Sequence, residues 1–268
     1  MNLTNYIAYR QLTAGLSGAQ IGLSVLGYPL LLFRRAGMAA GKRLLVIGGV
    51  HGREEITVPL TLALFRDYRG SMTVDLLPLM NPDGVFLAAG GIGNLPLTKT
   101  QRADLIKWNG GSDNFRLWKA NLRGVDLNVN FDAAWGTGRL NRFSPASENY
   151  VGPFPGSEPE NQAVLKLLDG GRYDCVLCYH ARGEELYHGF GGSDHPQAAK
   201  ALAQFLNYRA LTTPNSAGGV KDYWVQQTGK AGFTIEVEPD SRDYHDLSGL
   251  DALIERHSGS WELLERYL

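Results

Sequence analysis

The 268-residue sequence is poor in cysteine, with only Cys175 and Cys178. The two lie in an apolar run that is typical of a buried strand, where side chains three positions apart point to opposite faces. We therefore expect neither a disulfide nor a shared metal ion between them, and both are interpreted as small buried side chains. So low a cysteine content is typical of a reducing cytoplasm.

The sequence also lacks long basic runs and long hydrophobic runs. The formal net charge is −1, so neither nucleic acid nor an anionic membrane is an expected partner. The most apolar early stretch, residues 21–33, contains Ser24, Gly27 and Pro29 and is too short to cross a bilayer. Because this stretch ends in two arginines, it does not resemble a signal peptide, and the expected location is the cytoplasm.

Apolar runs do occur, and they alternate with helical patterns. Strands are predicted at residues 43–48, 72–79, 173–179 and 233–237, and helices at 54–68, 159–168, 195–208 and most of 250–268. A turn is predicted at 81–84, and loops at 88–94 and 109–114. Continuously apolar strands between helices indicate an α/β fold whose mixed, mostly parallel sheet carries helices on both faces. We predict a single domain over residues 1–268, with residues 1–40 as an N-terminal lead-in.

Three reactive residues lie at the ends of predicted strands. His51 follows the first strand, His180 follows the third, and Glu236 lies near the end of the last. Sites in such sheets form at the carboxyl ends of the strands, so these residues can converge. Together with Glu54, the two histidines offer the nitrogen and oxygen ligands that zinc accepts, although His-x-x-Glu alone is a weak motif.

A set of motifs in a fixed order is far more specific than any one of them. The sequence resembles the zinc metallocarboxypeptidase family over roughly residues 40–240, through the stretches His51-Gly-Arg-Glu54, Asn81-Pro-Asp-Gly84, Gly124-Val-Asp-Leu-Asn-Val-Asn-Phe131, Gly156-Ser-Glu-Pro-Glu160, Tyr179-His180 and Phe233-Thr-Ile-Glu236. This resemblance implies an enzyme that hydrolyses an amide bond.

The resemblance also implies residue roles. His51, Glu54 and His180 would bind one Zn²⁺ per chain, and Glu236 would activate the metal-bound water and then protonate the leaving amine. Glu238, which is expected on the same strand face as Glu236, is a rival for that role. Arg53 and Asn128 would contribute to substrate binding.

In the family, an arginine upstream of Gly-Val-Asp stabilises the oxyanion. Arg116 and Arg123 compete for this role, with Lys119 between them, and we favour Arg123. Arg116 is also predicted to be a substrate-binding residue.

Two departures from the family pattern concern specificity. Val129 stands where carboxypeptidases have the arginine that binds a substrate's terminal carboxylate, and the family's mobile tyrosine, expected near Pro214, is missing. Arg182, two residues after His180, can replace the lost carboxylate-binding group. An ion pair of Arg182 with Glu184 or Glu160 is the alternative.

The stretches at residues 180–184 and 120–126 resemble the bacterial γ-D-glutamyl-meso-diaminopimelate peptidase branch of the family. The sequence therefore predicts a zinc-dependent metallopeptidase that hydrolyses a peptide or γ-D-glutamyl amide bond in muropeptides. The alternatives are a metallocarboxypeptidase or a desuccinylase-type amide hydrolase on the same site, or a zinc- or peptide-binding protein without catalysis. The expected partner is a peptide or muropeptide; the sequence predicts no oligomeric state.

Overall fold

A computed structural model of the chain describes residues 3–38, 41–170, 173–212 and 217–268. The strands in these residues are β1 (Gly18–Leu23), β2 (Pro29–Arg35), β3 (Arg43–Ile47), β4 (Thr73–Leu77), β5 (Cys175–Ala181), β6 (Glu185–His188), β7 (Arg209–Thr212) and β8 (Ala231–Val237). The α-helices are α1 (Tyr6–Leu12), α2 (Thr57–Asp67), α3 (Pro82–Gly90), α4 (Lys99–Trp108), α5 (Pro159–Gly170), α6 (Pro196–Leu206), α7 (Val220–Thr228), α8 (Leu250–His257) and α9 (Ser260–Leu264).

The strands form one mixed sheet in the order β1-β2-β4-β3-β5-β8-β6-β7. Its centre is parallel, because β3 pairs in parallel with both β4 and β5, and β5 pairs in parallel with β8. The pairs β1–β2, β2–β4 and β6–β8 are antiparallel. The predicted α/β class and mixed sheet are therefore confirmed.

Helices cover both faces of the sheet. One buried cluster includes side chains from α2, α6, α8 and α9, and a second includes side chains from α5 and α7. Cys175 belongs to the first cluster and Cys178 to the second, so the two free cysteines lie on opposite faces, as predicted. None of the helices in the described part of the chain combines the length and apolar character that a bilayer-spanning helix needs.

Several elements differ from the sequence prediction. Residues 18–35, within the predicted lead-in, form the two strands β1 and β2 at one edge of the sheet. The turn predicted at 81–84 is instead the start of α3, because the Asn81 side chain accepts the Gly84 N–H and Pro82 occupies the first turn. Most of the loop predicted at 88–94 belongs to α3 and a short 3-10 helix, Ile92–Asn94.

The segment that carries His51 and Glu54 is held by close backbone contacts. A Cβ atom added to Gly52 would lie 2.5 Å from the Gly84 carbonyl oxygen and 2.7 Å from that of Trp118. Asn81 joins the same segments, since its Nδ2 donates to the carbonyls of Val50 and Ala120. The first two sequence motifs thus pack directly on each other.

Candidate metal centre and active site

His51, Glu54 and His180 form a buried cluster at the carboxyl ends of β3 and β5. The Nδ1 atom of His51 lies 2.8 Å from Glu54 Oε1, and the Nδ1 atom of His180 lies 3.0 Å from Glu54 Oε2. The two Nδ1 atoms are 3.1 Å apart. Each of the three residues offers one ligand atom, and these atoms lie within 4.8 Å of one another, so this is a group that could hold a metal ion.

Asp126 and Lys119 support the cluster from behind. Asp126 Oδ1 lies 3.2 Å from His51 Nε2, which leaves Nδ1 directed at the other two residues of the cluster. Asp126 Oδ2 pairs with Lys119 Nζ at 3.0 Å. Burial opposes the charge on both groups, but their mutual attraction outweighs it, so the pKa of Asp126 is held well below its usual range. Burial likewise lowers the pKa of Lys119, but attraction to Asp126 and Glu54 outweighs this and raises it.

Glu236 lies beside the cluster on the neighbouring strand. It is the register partner of His180 across the parallel pair β5–β8, so both side chains project from the same face of the sheet. Burial raises the pKa of Glu236 to about 7; the charge of His180 opposes this shift, and that of Glu54 adds to it. The structure thus brings all four predicted chemical groups into one neighbourhood.

Glu238 does not share the strand face of Glu236, contrary to the sequence prediction. Strand β8 ends at Val237, and Glu238 follows with a positive φ of 61°. Its buried carboxylate lies 3.4 Å from Arg242, and its carbonyl accepts the N–H groups of Gly183 and Glu184. Glu238 is therefore part of a turn beyond the strand.

Two predicted substrate-binding arginines meet at Tyr244. The guanidinium carbon of Arg182 lies 4.0 Å from the centre of the Tyr244 ring, and that of Arg53 lies 4.8 Å from it. Arg182 Nε is buried without a hydrogen-bond partner in the described residues. The alternative ion pairs of Arg182 do not form, because Glu184 pairs with Arg256, and Glu160 accepts from Val25 and Asn121.

The residues around Tyr244 also line a cavity of about 530 Å³ that includes Arg182 and Arg116. Arg116 is half-exposed and pairs with Asp243 through two contacts of 2.9 and 3.0 Å. Next to it, His245 lies 3.0 Å from Glu55, the neighbour of Glu54. The segment 243–245 is thus attached to the loop that carries Arg116 and, through Glu55, to the segment that carries His51 and Glu54.

The remaining predicted residues contact other parts of the chain. Arg123 is half-exposed and pairs with Glu158 at 3.7 Å. Asn128 follows Asp126 and accepts the N–H of Val220 at the start of α7. Gly218, with a φ of 80°, packs so closely on Val129 that an added Cβ would lie 2.5 Å from its carbonyl oxygen. The tyrosine position near Pro214 falls outside the described residues.

Sequence reasoning gave no role to Lys119, Asp126 and Tyr244. Asp126 lies in the motif that runs from residue 124 to 131. Its role depends on His51, which is 75 positions away in the sequence. Lys119 was noted only as a neighbour of two arginines. Tyr244 has no local motif, because its two partners come from distant segments.

The arrangement fits a zinc ion. Ligands about 2.0–2.1 Å from a tetrahedral zinc are themselves roughly 3.3 Å apart. The two Nδ1 atoms are 3.1 Å apart, and each lies 2.8 or 3.0 Å from one of the two Glu54 oxygens, which is close to that spacing. Two imidazole nitrogens and one carboxylate, with a carboxylate behind one histidine, form a donor set that is common for catalytic zinc.

Comparisons with known proteins agree with this geometry. The model of the zinc carboxypeptidase family, peptidase family M14, matches residues 15–250. A γ-D-glutamyl-L-diamino acid endopeptidase of Lysinibacillus sphaericus is 32% identical over 83% of this chain and 60% of its own length. A murein peptide amidase of Escherichia coli is 28% identical over 83% of this chain and 81% of its own.

The fold also matches solved structures. The crystal structure of carboxypeptidase A from Helicoverpa armigera superposes with a TM-score of 0.73 at 20% identity, covering 98% of this chain and 73% of that one. The match to the first relative spans less than two thirds of that relative's length. The extent of the family match, together with the His-Glu-His cluster on this sheet, establishes that the chain belongs to the zinc carboxypeptidase family.

Proposed function

We propose that the chain is a zinc-dependent metallopeptidase that hydrolyses the γ-D-glutamyl amide bond of muropeptides. The observation that carries the catalytic part is the convergence of His51, Glu54 and His180 beside Glu236. The substrate class is supported by the two relatives, a γ-D-glutamyl-L-diamino acid endopeptidase and a murein peptide amidase.

His51, Glu54 and His180 would hold the zinc ion. When bound, zinc polarises the scissile carbonyl and makes its bound water more acidic. Glu236 accepts the proton of the attacking water and later gives it to the leaving amine, which suits a carboxylate whose pKa burial has raised to about 7.

Lys119 is a better candidate for the oxyanion than Arg123. Its ammonium contacts Asp126 at 3.0 Å and is attracted electrostatically to Glu54, whereas Arg123 pairs with Glu158 and is half-exposed. The Lys119 side chain is 18% exposed, so one side of it remains accessible. A preorganised cation at this point stabilises negative charge that develops on the carbonyl oxygen.

Arg182 would bind a carboxylate of the substrate. Its planar guanidinium is held against Tyr244 and borders the 530 Å³ cavity, and its Nε has no partner in the described chain. Diaminopimelate carries a second carboxylate at the end of its side chain, which fits an arginine displaced from the usual family position. Val129 at that usual position argues against a simple carboxypeptidase.

The test is hydrolysis of L-Ala-γ-D-Glu-meso-diaminopimelate compared with a hippuryl peptide that has a free carboxyl terminus. We expect cleavage of the first and little of the second, about one zinc per chain, and loss of both zinc and activity in His180→Ala. Preference for the hippuryl peptide would establish a carboxypeptidase instead. Full activity of metal-free protein would exclude the zinc mechanism.

A further inference from the structure

We propose that Glu185 is a specificity-determining residue that binds the side-chain ammonium of a diamino acid on the leaving side of the scissile bond. This inference rests on the function proposed above and deepens it. It assigns a role to a side chain that neither the motifs nor the mechanism uses.

Glu185 lies in the same transverse row as the catalytic groups. Across the antiparallel pair β6–β8 it is the register partner of Glu236, which is itself the partner of His180 across β5–β8. Residues directly opposite each other project from one face, and neighbouring strands are about 4.8 Å apart. The row therefore runs from a metal ligand through the proposed base to Glu185, one strand further on.

Each oxygen of Glu185 accepts one hydrogen bond, which leaves further acceptor positions on the carboxylate unused. The Tyr187 hydroxyl donates to Oε2, and Arg209, the register partner of Glu185 on β7, donates to Oε1. The Arg209 side chain is 71% exposed, whereas that of Glu185 is 14% exposed. A carboxylate has about four acceptor positions, so an ammonium can bind beside these donors or displace the exposed arginine.

The position suits the leaving residue of the substrate. Glu236 gives its proton to the leaving amine, so the side chain of that residue emerges next to Glu236. Two carboxylates on adjacent strands of one face favour a cationic group there. The ammonium is common to lysine and diaminopimelate, so Glu185 would recognise any diamino acid, whereas Arg182 would distinguish the second carboxylate.

The experiment compares two tripeptides, L-Ala-γ-D-Glu-L-Lys and the same peptide with norleucine in place of lysine. Norleucine has nearly the same shape but no ammonium. In Glu185→Gln, we expect kcat/KM for the lysine peptide to fall about 10-fold or more, mainly through KM, as when one partner of a charge pair is lost. The value for the norleucine peptide should change less than about 3-fold, within ordinary surface-mutation scatter.

Arg209→Met is the matched control, because it breaks the same ion pair but leaves the carboxylate. It should leave KM for the lysine peptide unchanged or lower it, since a competing cation has gone. Equal losses for both peptides in Glu185→Gln and Arg209→Met, with matching drops in thermal midpoint, would show that the pair only joins β6 to β7. A wild-type enzyme that does not prefer lysine to norleucine would also overturn the proposal.

A wrong substrate class can be distinguished from a wrong role for Glu185. If the chain cleaves no γ-D-glutamyl substrate, the same lysine and norleucine comparison is made with α-linked peptides that it does cleave. A lysine preference that disappears in Glu185→Gln would then support Glu185 while excluding the muropeptide substrate.

Discussion

Two glutamates close together near the end of β8 differ only in their surroundings. Glu236 projects from the sheet beside His180, whereas Glu238 lies in a turn with a left-handed backbone and faces Arg242. Burial raises the pKa of both to about 7, so acidity alone does not identify the base. The proposed assignment of Glu236 as the base rests instead on its position beside His180.

Replacing each glutamate with glutamine tests this assignment. Glu236→Gln keeps the shape but cannot accept a proton, so we expect kcat to fall about 10²–10⁴-fold, as general-base loss typically causes. Zinc content should stay near one per chain. Glu238→Gln serves as the control and should retain most of the activity; an inactive Glu238→Gln with an active Glu236→Gln would reverse the assignment.

Substitutions can also show whether Lys119 or Arg123 stabilises the oxyanion. Lys119→Met should lower kcat by about 10²-fold or more, as loss of an oxyanion-stabilising group does, and Lys119→Arg should restore much of the activity. Arg123→Met should change kcat by less than about 3-fold, because its side chain is half-exposed and pairs with Glu158. Since Lys119 also holds Asp126, zinc content must be measured in each variant; loss of zinc rather than of kcat would make Lys119 a structural residue.

Arg182 allows a comparison between substrates. Arg182→Met should lower kcat/KM for a diaminopimelate tripeptide by roughly 30-fold or more, as loss of one partner of a desolvated charge pair does. The loss should shrink for the lysine tripeptide, which lacks the second carboxylate. Equal losses on the two substrates would mean that Arg182 is structural or binds a carboxylate that both share.

At the scale of elements, the positions of the predicted metal ligands His51 and Glu54 depend on how the segment after β3 packs. A Cβ atom on Gly52 would lie within 2.7 Å of the carbonyl oxygens of Gly84 and Trp118. Asn81 both caps α3 and donates to carbonyls of two neighbouring segments. These contacts hold the segment that carries His51 and Glu54. The sequence shows the glycines and the asparagine but not which backbone they approach.

Gly52→Ala is expected to weaken metal binding. The added methyl would lie 2.5 Å from a backbone oxygen, so the ligand segment must shift. We expect zinc affinity to drop at least 10-fold, comparable to the loss of a residue that orients a ligand, with activity falling in parallel. Gly93→Ala, where no atom lies within 4 Å of an added Cβ, is the control. Unchanged zinc affinity in Gly52→Ala would show that the backbone can accommodate the methyl group without displacing His51 and Glu54.

The central elements could be predicted because their signals are local. Strands β3, β4, β5 and β8 are continuous apolar runs, and each was predicted to within a few residues. Strand β6 was missed, since its residues become a strand only by pairing with β8 and β7. The helix α4 is not predicted, because it is largely polar and gives little periodic signal. The spacing of Thr98 and Gln101, which form its capping box, is the one local signal for its start.

The residues of the candidate site likewise fall into two groups, those that lie in sequence motifs and those that only tertiary contacts bring into place. His51, Glu54, His180 and Glu236 lie in recognisable motifs at strand ends, and the structure brings them together. Tertiary contacts determine the positions of the other residues. Lys119 pairs with Asp126, Tyr244 stacks with two arginines, and Glu185 is the register partner of Glu236. Such residues have no spacing that a single sequence reveals.

At the scale of the whole molecule, buried carboxylates at a distance from the cluster affect stability. Glu160 accepts hydrogen bonds from Val25 and Asn121, and Asp83 accepts from Ser24 and Leu26, so both attach the β1–β2 hairpin to the rest of the chain. Burial raises the pKa of Glu160 to about 8 and that of Asp83 to about 6. In both, the folded state holds its proton more tightly than the unfolded state does.

Stability should therefore fall as the pH rises. For Glu160, the contribution is complete below the usual glutamate pKa and is lost as the pH passes through about 8. Between pH 5.5 and 8.5 we expect the free energy of unfolding to drop by about 3 kcal/mol from this group alone. Glu160→Gln cannot ionise and should flatten the profile, measured by denaturant unfolding at both pH values. The exposed Asp67→Asn is the control, and an unchanged slope in Glu160→Gln would contradict the assignment.

The backbone packing around Gly52 has a consequence for how substrate preference can change. The segment that carries the predicted metal ligands His51 and Glu54 is held by main-chain atoms and by Asn81, whereas Arg182, Glu185 and Tyr244 lie on the segments that follow β5 and β8. Substitutions in these later segments can alter charge and shape in the crevice while the ligand segment keeps its supports. New specificities should thus be obtainable by exchanging a few residues of one region, with the hydrolytic centre carried over intact.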